Sequence, residues 1–334
     1  MHEKMTAELT VSQAAAQGLQ PLDPLRHLGQ IADVLEVSFA REMGDENARQ
    51  ATREMRRHSR LGWQLRILLW FGLDDYLPTQ GYVWIEDGRV VGTVQTQPAR
   101  EYPGAWLIAN VAVLPEYRRR GIAEALTQAT IEHITRRRGQ IALLQVDDDN
   151  TAAQDLYSKL GFEHIATHTH WYRAGQSQAP TFTPSRFDIR LRDPREWAEE
   201  YNLVRLARPE GFAWDRALAP GSFRSGWGHR LADALNGQSV ERWVAATSTD
   251  QLIGSLRIDT GLPEGDRLTL VVHPAFRGEV ERPLLTRGLR RLGPRPWAIH
   301  IEHATDDVFL GGMLVEHGFT RTRVLRWMRR ALSA

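Results

Sequence analysis

Two stretches of this 334-residue sequence carry residue types that can do chemistry together. The first is Arg118-Arg119-Arg120-Gly121-Ile122-Ala123, which follows a proline and opens a helix-patterned run. Successive backbone amides at a helix N-terminus lack partners and the helix dipole favours anions there, so such a turn can cradle a pyrophosphate. Gly121 lets the backbone approach the phosphates, Ala123 keeps the first helical turn narrow, and the arginines add charge-assisted hydrogen bonds. Taken alone, the same residues also describe a solvated basic turn capping a helix. The second stretch starts 27 residues after Ala123, with Asn150-Thr151-Ala152-Ala153-Gln154-Asp155-Leu156-Tyr157 and then Leu160-Gly161-Phe162. Asn150 suits an N-cap whose side chain can also reach a ligand amide. Tyr157 lies about two helical turns on and projects from the same face. A phenol with a pKa of about 10 carries its proton at neutral pH and can act as a general acid. The competing role for Tyr157 is a packed aromatic at helical spacing.

These residues need a scaffold, and the hydrophobic periodicity supplies one. A helix is expected over 25–40, with Leu28, Ile31, Leu35 and Phe39 on one face. A charged helical stretch follows over 45–71, its Trp63, Ile67 and Trp70 packing on a sheet. Two β runs, 82–86 and 90–97, are joined by Asp87-Gly88, a strong hairpin signal. The run 106–114 (WLIANVAVL) is apolar almost throughout and therefore central in a sheet, and Pro115 ends it. Helix, strand, helix and strand then follow over 121–138, 141–146, 150–160 and 162–172. Residues 174–186 (AGQSQAPTFTPSR) are small, polar and proline-bearing, as linkers are.

Beyond the linker the order repeats. Val113 to Arg118 reads V-x-P-x-x-R and so does Val272 to Arg277, while Gly161-Phe162 is answered by Gly318-Phe319. Duplication explains this better than coincidence. The expected domains are therefore 1–173 and 187–334. In the second copy Val280 and Arg282 stand where the first has Gly121 and Ala123, and Glu279 and Glu281 add negative charge. A branched side chain and two carboxylates oppose a pyrophosphate, and no Asn-to-Tyr pair follows Ala304. The second copy is expected to be a scaffold.

Composition narrows the classes. With 42% apolar and 25% charged residues the chain is globular in type, and no apolar run approaches the roughly 20 residues of a membrane helix. The N-terminus lacks a signal-peptide layout, so a cytoplasmic, soluble protein with no membrane partner is expected. A net charge of +1 argues against a nucleic-acid partner. The absence of cysteine excludes disulfides, thiolate metal sites and a cysteine-bound acyl intermediate. His168 and His170 alternate in THTHWY without a third ligand, so a surface face rather than a metal site is expected.

The strand ANVAV, the loop P-E-Y-R-R-R-G-I-A and the later N-T-A-A-Q-D-L-Y-S-K-L-G-F together resemble the GCN5-related N-acetyltransferase (GNAT) superfamily in order and spacing. The motifs cover 110–162, and a fold-level likeness extends over about 17–173. The tandem arrangement is similar to that of mycothiol synthase-like members. The resemblance implies an α/β (α+β) fold of two tandem GNAT-like domains, each a mixed, mostly antiparallel sheet flanked by helices. It further implies acetyl-CoA as cofactor, its pantetheine held in a splay between the strands at Val113 and Val146. Val111, Ala112 and Val113 would hold the pantetheine, and Arg118, Arg119, Arg120, Gly121, Ile122 and Ala123 the pyrophosphate, with Asn150, Ala153 and Tyr157 completing the site. In the family's usual mechanism a primary amine attacks the thioester directly, and a tyrosine placed like Tyr157 protonates the thiolate.

Several relatives carry a glutamate base on the strand after the cofactor helix, where this sequence has Gln145. Glu101, Asp75, Asp147 or a water chain remain as candidates. The acceptor is expected to be a small-molecule or peptide amine, and the protein a monomer or homodimer. The rival class is an acyl-CoA-binding sensor without turnover.

Overall fold

The computed structural model describes residues 17–43, 52–53, 55–57, 59, 80–99, 103–207, 223–224, 238–261 and 265–332. Trp63, Ile67, Trp70, Asp75 and Glu101 lie outside the described residues. No described helix is long and apolar enough to cross a membrane. The chain forms two compact units, one comprising 1–98, 104–143 and 331–334, the other 99–103 and 144–330.

In the first unit β1 (Gly18–Pro21), β2 (Gln80–Glu86), β3 (Arg89–Pro98) and β4 (Ala105–Val113) lie side by side in that order, all antiparallel. Asp87 and Gly88 take φ of 49° and 74°, so the hairpin closes on the two left-handed residues that a type I′ turn requires. Helix α1 (Pro24–Met43) buries Leu28, Ile31 and Leu35, three of the four residues its periodicity aligns. Helix α2 (Ile122–Arg136) lies against β3 so closely that a Cβ on Gly92 would stand 3.0 Å from Ile122 and 3.1 Å from Leu126. That contact seats the first turn of α2 just beyond the end of β4.

The boundary between the units passes through β5 (Ile141–Asp147), between Leu143 and Leu144. In the second unit α3 (Thr151–Lys159) leads to β6 (Glu163–Arg173). Next come β7 (Asp188–Leu191), α4 (Trp197–Ala207), β8 (Ser239–Ala246), β9 (Leu252–Thr260) and β10 (Asp266–Val272). Helix α5 (Glu281–Leu292), β11 (Ile299–Ala304), α6 (Val308–Glu316) and β12 (Thr320–Ala331) complete the chain. The sheet order is β12-β6-β11-β10-β9-β8-β7, antiparallel except for the β10/β11 pair. Its core sets Ile253, Leu256 and Leu268 of the sheet against Leu284, Leu285 and Leu289 of α5. Residues 174–186 carry neither helix nor strand.

Strand β6 explains why α3 and β6 fold with the C-terminal half: one edge pairs with β11 and the other with β12. The same pairing corrects the reading of the THTHWY histidines as a surface face. His168 is completely buried, edge-on to the Trp327 ring at 6.2 Å, with Nδ1 2.6 Å from a Glu302 carboxylate oxygen. Alternation does put His168 and His170 on one side of the strand. That side is covered by residues more than 130 positions away in sequence.

Candidate functional site

Strand β4 ends in a geometry that presents its edge and delivers the chain to α2. Leu114 donates to Val91 O at 2.9 Å, so the backbone groups of Leu114 and, by alternation, Ala112 turn toward β3, while those of Val113 turn away. The Val113 carbonyl on this outer edge accepts from Arg118 Nε at 3.0 Å and from the Ser38 hydroxyl at 3.4 Å. Of the three strand residues expected at a cofactor, Ala112 is therefore committed to the sheet, and Val113 already carries Arg118 on its carbonyl. Val111 follows an irregularity in the pairing, where three β4 residues, Asn110 to Ala112, are spanned by the two-residue step from Thr93 to Gln95.

A single 3₁₀ turn, Pro115–Tyr117, lets the chain reverse into the arginine loop. Arg119 is held at φ 65° and Gly121 at φ 77°, two left-handed residues flanking Arg120. Gly121 is the N-cap of α2 and, having no side chain, supplies no cap of its own, while the helical ladder begins only with Ala125 N–H to Gly121 O. The amides of Ile122, Ala123 and Glu124 thus come before the first intrahelical bond. A Cβ on Gly121 would meet nothing within 4 Å, so the space beside these amides is open. The three arginines differ. Arg120 is tied to Glu116 O, lies 5.0 Å over the Tyr117 ring and 3.5 Å from Glu86, whereas Arg119 is exposed and makes no hydrogen bond or ion pair among the described residues.

Asn150, Ala153 and Tyr157 come together on α3, in the second unit. Asn150 is the N-cap, and its side-chain oxygen accepts from Ala153 N–H at 3.1 Å, so those two groups satisfy each other. Tyr157 is buried, its ring edge-on to Phe162 at 6.0 Å. Asp147, one of the base candidates, is gripped by Arg323 through both carboxylate oxygens at 2.5 and 2.6 Å and is buried. Both of its oxygens are thus already engaged in charge-assisted hydrogen bonds.

The second copy shows what the loop becomes without glycine at the helix start. It keeps the 3₁₀ turn (Pro274–Phe276), and Gly278 at φ 86° repeats the left-handed step of Arg119. Val280 then replaces Gly121 and sits at φ −117° and ψ −14°, since a β-branched side chain resists the left-handed region. Glu281 folds back over the loop, and its Oε2 accepts from Gly278 N–H at 2.8 Å and Val280 N–H at 3.2 Å. Burial pushes this carboxyl above the ordinary range, and the N–H groups of Gly278, Glu281 and Val280 oppose that rise. The sequence signalled a repelling charge here. The structure makes it an internal anion seated on the loop amides, while Glu279 is drawn outward to Arg186.

Further along, Asp307 caps α6 as Asn150 caps α3, accepting from Leu310 N–H at 2.9 Å. The equivalence was hidden by the search for an asparagine, although aspartate is as good an N-cap. Leu314, fully buried, stands seven residues beyond this cap, as Tyr157 does beyond Asn150. Parallel pairing of β10 and β11 covers Asp266 to Leu268 against Ile299 to Ile301. Beyond it lies a small cavity lined by Leu270, Val272, Ala304 and Leu310, with Arg277 and Glu281 at its loop side.

Comparison with known proteins agrees with this arrangement. The acetyltransferase (GNAT) family matches residues 46–162. That match takes in both the arginine loop and the stretch from Asn150 to Phe162. A mycothiol acetyltransferase of Geodermatophilus obscurus is 31% identical over 167 residues, covering 47% of this chain and 52% of the relative. N-alpha-acetyltransferase 30 of Schizosaccharomyces pombe is 34% identical over 87 residues, or 25% of this chain and 58% of that protein. The alignments thus span little more than half of either relative's length. A tandem GNAT protein from the clavulanic acid biosynthesis pathway shares the fold along the whole molecule, with a TM-score of 0.57 at 17% identity over 95% of this chain and 98% of the other. The fold of this chain is accordingly that of a tandem GNAT protein.

Proposed function

We propose that this protein transfers an acetyl group from acetyl-CoA to a primary amine, using one cofactor site per chain in its N-terminal copy. The observation that carries the proposal is the start of α2, with open space beside Gly121, set against the second copy, where Glu281 takes the amides of Gly278 and Val280, the counterparts of Arg119 and Gly121. An anion fits the first loop and meets a carboxylate in the second. The residues proposed to hold the diphosphate are the amides of Gly121 to Glu124 with the side chains of Arg118 and Arg119, and the backbone of Val111 and Val113 on the outer edge of β4 would pair with the pantetheine amides. When bound, the thioester supplies the activated acyl group.

The remaining roles follow from the motif order in the sequence. Asn150 and Ala153 belong to the proposed cofactor set. Tyr157 gives its phenolic proton to the departing sulfur as the C–N bond forms and the C–S bond breaks, and the surplus amine proton leaves to water. Residues 1–173 and 187–334, joined by 174–186, are the two copies in this proposal, the second acting as scaffold. The acceptor is a small-molecule or peptide amine. Calorimetric titration with acetyl-CoA, together with detection of free CoA released in the presence of an amine panel, tests the reading. One site per chain and amine-dependent release are expected. Binding without release under every amine would leave a sensor, and two sites would contradict the assignment of copies.

A further inference from the structure

The first copy contains a polar patch left without partners whose counterpart in the second is paired, and it lies beside the edge proposed for the pantetheine. Between Thr93 and Gln95 of β3, strand β4 advances from Ala112 to Ala109, a β-bulge centred on Asn110 and Val111. Asn110 takes a left-handed φ of 54°, uncommon for a side-chain-bearing residue in a strand. Its side-chain amide donates to the Gln95 side-chain oxygen. The other end of the Gln95 amide, Nε2, has no hydrogen-bond partner among the described residues, and neither has the Thr93 hydroxyl. Both residues are completely buried. They stand two apart on β3 and so share one face of the strand.

The duplicate provides the control. The pairing Gly92 with Val113 recurs as Gly254 with Val272, which places Ser255 at Thr93 and Arg257 at Gln95. There β9 and β10 pair from Asp259 to Gly254 without a shift. Ser255 donates to Glu200 at 2.5 Å, and Arg257 donates to Asp259 at 2.8 and 3.0 Å. Thus the copy with a filled phosphate loop satisfies these two positions. The copy with an open loop leaves them unsatisfied. Burying a donor without a partner costs stability, so a structure that keeps two such groups together keeps them for a ligand.

Position indicates which ligand. A diphosphate on the α2 amides lies beyond the end of β4, so a pantetheine arm running back along the strand passes Val113 and then Val111. At about 3.3 Å per residue the bulge is roughly 10 Å back from Val113, toward the thioester end. We infer that Gln95, oriented by Asn110 and assisted by Thr93, is a specificity residue that binds a neutral oxygen, an amide carbonyl or hydroxyl, next to the reacting amine of the acceptor. The three side chains are uncharged, and a buried carboxylate on the acceptor would require a cation to offset its desolvation. This inference rests on the acetyl-transfer reading of the site.

The test compares the wild type with Gln95→Leu and Thr93→Val, both close in volume, using glycinamide and n-propylamine as acceptors and free thiol as the readout. Amine basicity is the same for every variant, so it cancels when the glycinamide-to-propylamine ratio of kcat/KM is compared between enzymes. Gln95→Leu is expected to lower that ratio at least about 10-fold, through the KM for glycinamide, because an analogue lacking a recognised polar group is rejected by at least that factor. The KM for acetyl-CoA should not move. Gln95→Leu also takes the acceptor from Asn110, so the stability readout uses Thr93→Val, which removes only an unpaired buried hydroxyl and should raise the melting temperature of the free protein by about 2–4 °C, as removal of a purely structural group would not. Thr93→Val should lower the ratio too, by less than Gln95→Leu. An unchanged ratio in Gln95→Leu, or a lowered melting temperature in Thr93→Val with the ratio intact, overturns the inference while leaving acetyl transfer standing. A wild type that releases no CoA with either amine counts against the transferase reading itself and takes this inference with it.

Discussion

Replacing Gly121 with valine asks whether the conformation of one residue decides which copy binds the cofactor. Gly121 sits at φ 77° and ψ 0°, with nothing within 4 Å of the position a Cβ would take, so a new side chain meets no steric wall. The cost is in the backbone. A non-glycine residue in the left-handed region costs about 1–2 kcal/mol, and a branched Cβ lies at the upper end. Gly121→Val can pay this by remaining left-handed or avoid it by adopting the φ −117° of Val280, which re-aims the loop amides. If it stays left-handed, the free protein should melt lower by about 2–8 °C, at 2–4 °C per kcal/mol for a domain of this size, and if it re-aims the loop the drop should be smaller. The wild type at a hundredfold excess of acetyl-CoA over Kd should gain about 2.7 kcal/mol, or roughly 5–11 °C, whereas the valine variant should gain nothing measurable. Gly121→Ala, which bears the smaller backbone cost, should retain part of the gain. Differential scanning fluorimetry with and without acetyl-CoA reads all three. A full ligand-induced shift in Gly121→Val would show that the amides at the start of α2 do not hold the cofactor.

Tyr157→Phe should leave acetyl-CoA affinity intact and reduce turnover by roughly 10² to 10⁴, the usual contribution of one acid-base group, and unchanged turnover would remove the phenol from the mechanism. Glu281→Ala leaves the Gly278 and Val280 amides without their acceptor and should destabilise the protein by about 1–3 kcal/mol in denaturant unfolding, while calorimetry still counts one acetyl-CoA because Val280 keeps its conformation. An increase in stability would mean that burial of the carboxylate outweighs its hydrogen bonds. Burial lowers the pKa of His27, His133 and His303 below the ordinary 6.5. The unfolded chain therefore binds protons that the folded one refuses, so stability should be level above pH about 6.5 and fall as pH drops below it, by at most about 1.4 kcal/mol per pH unit for each imidazole. His303→Gln should flatten that slope in pH-dependent unfolding, and an unaltered slope would exclude this residue.

Local chemistry was readable from the sequence because local forces fix it. The left-handed demand of Asp87-Gly88, the buried stripe of α1 and the Asn150 cap depend on residues within a few positions of one another. The alternation of His168 and His170 was equally visible, but the side of the sheet they face was not, because Trp327 and Glu302 arrive from the far end of the chain. The same limit hid the two partners of β6 and with them the placement of α3 in the second unit. Glu281 was misjudged for a different reason. Its charge was plain, but whether a carboxylate repels phosphate from a distance or seats itself on the amides depends on one side-chain rotation. The bulge at Asn110 left no compositional trace at all, since ANVAV is an unremarkable strand until its register against β3 is known.

The Val280 and Glu281 pair also constrains how the second copy can drift. Restoring glycine at 280 alone would leave the carboxylate on the amides, and removing the carboxylate alone would leave the Val280 N–H buried and unanswered while the valine held the loop turned away. Neither single substitution recovers an anion site, and the second costs stability, so two neighbouring residues hold this loop closed to an anion by separate means: one turns the backbone, the other fills the donors it leaves.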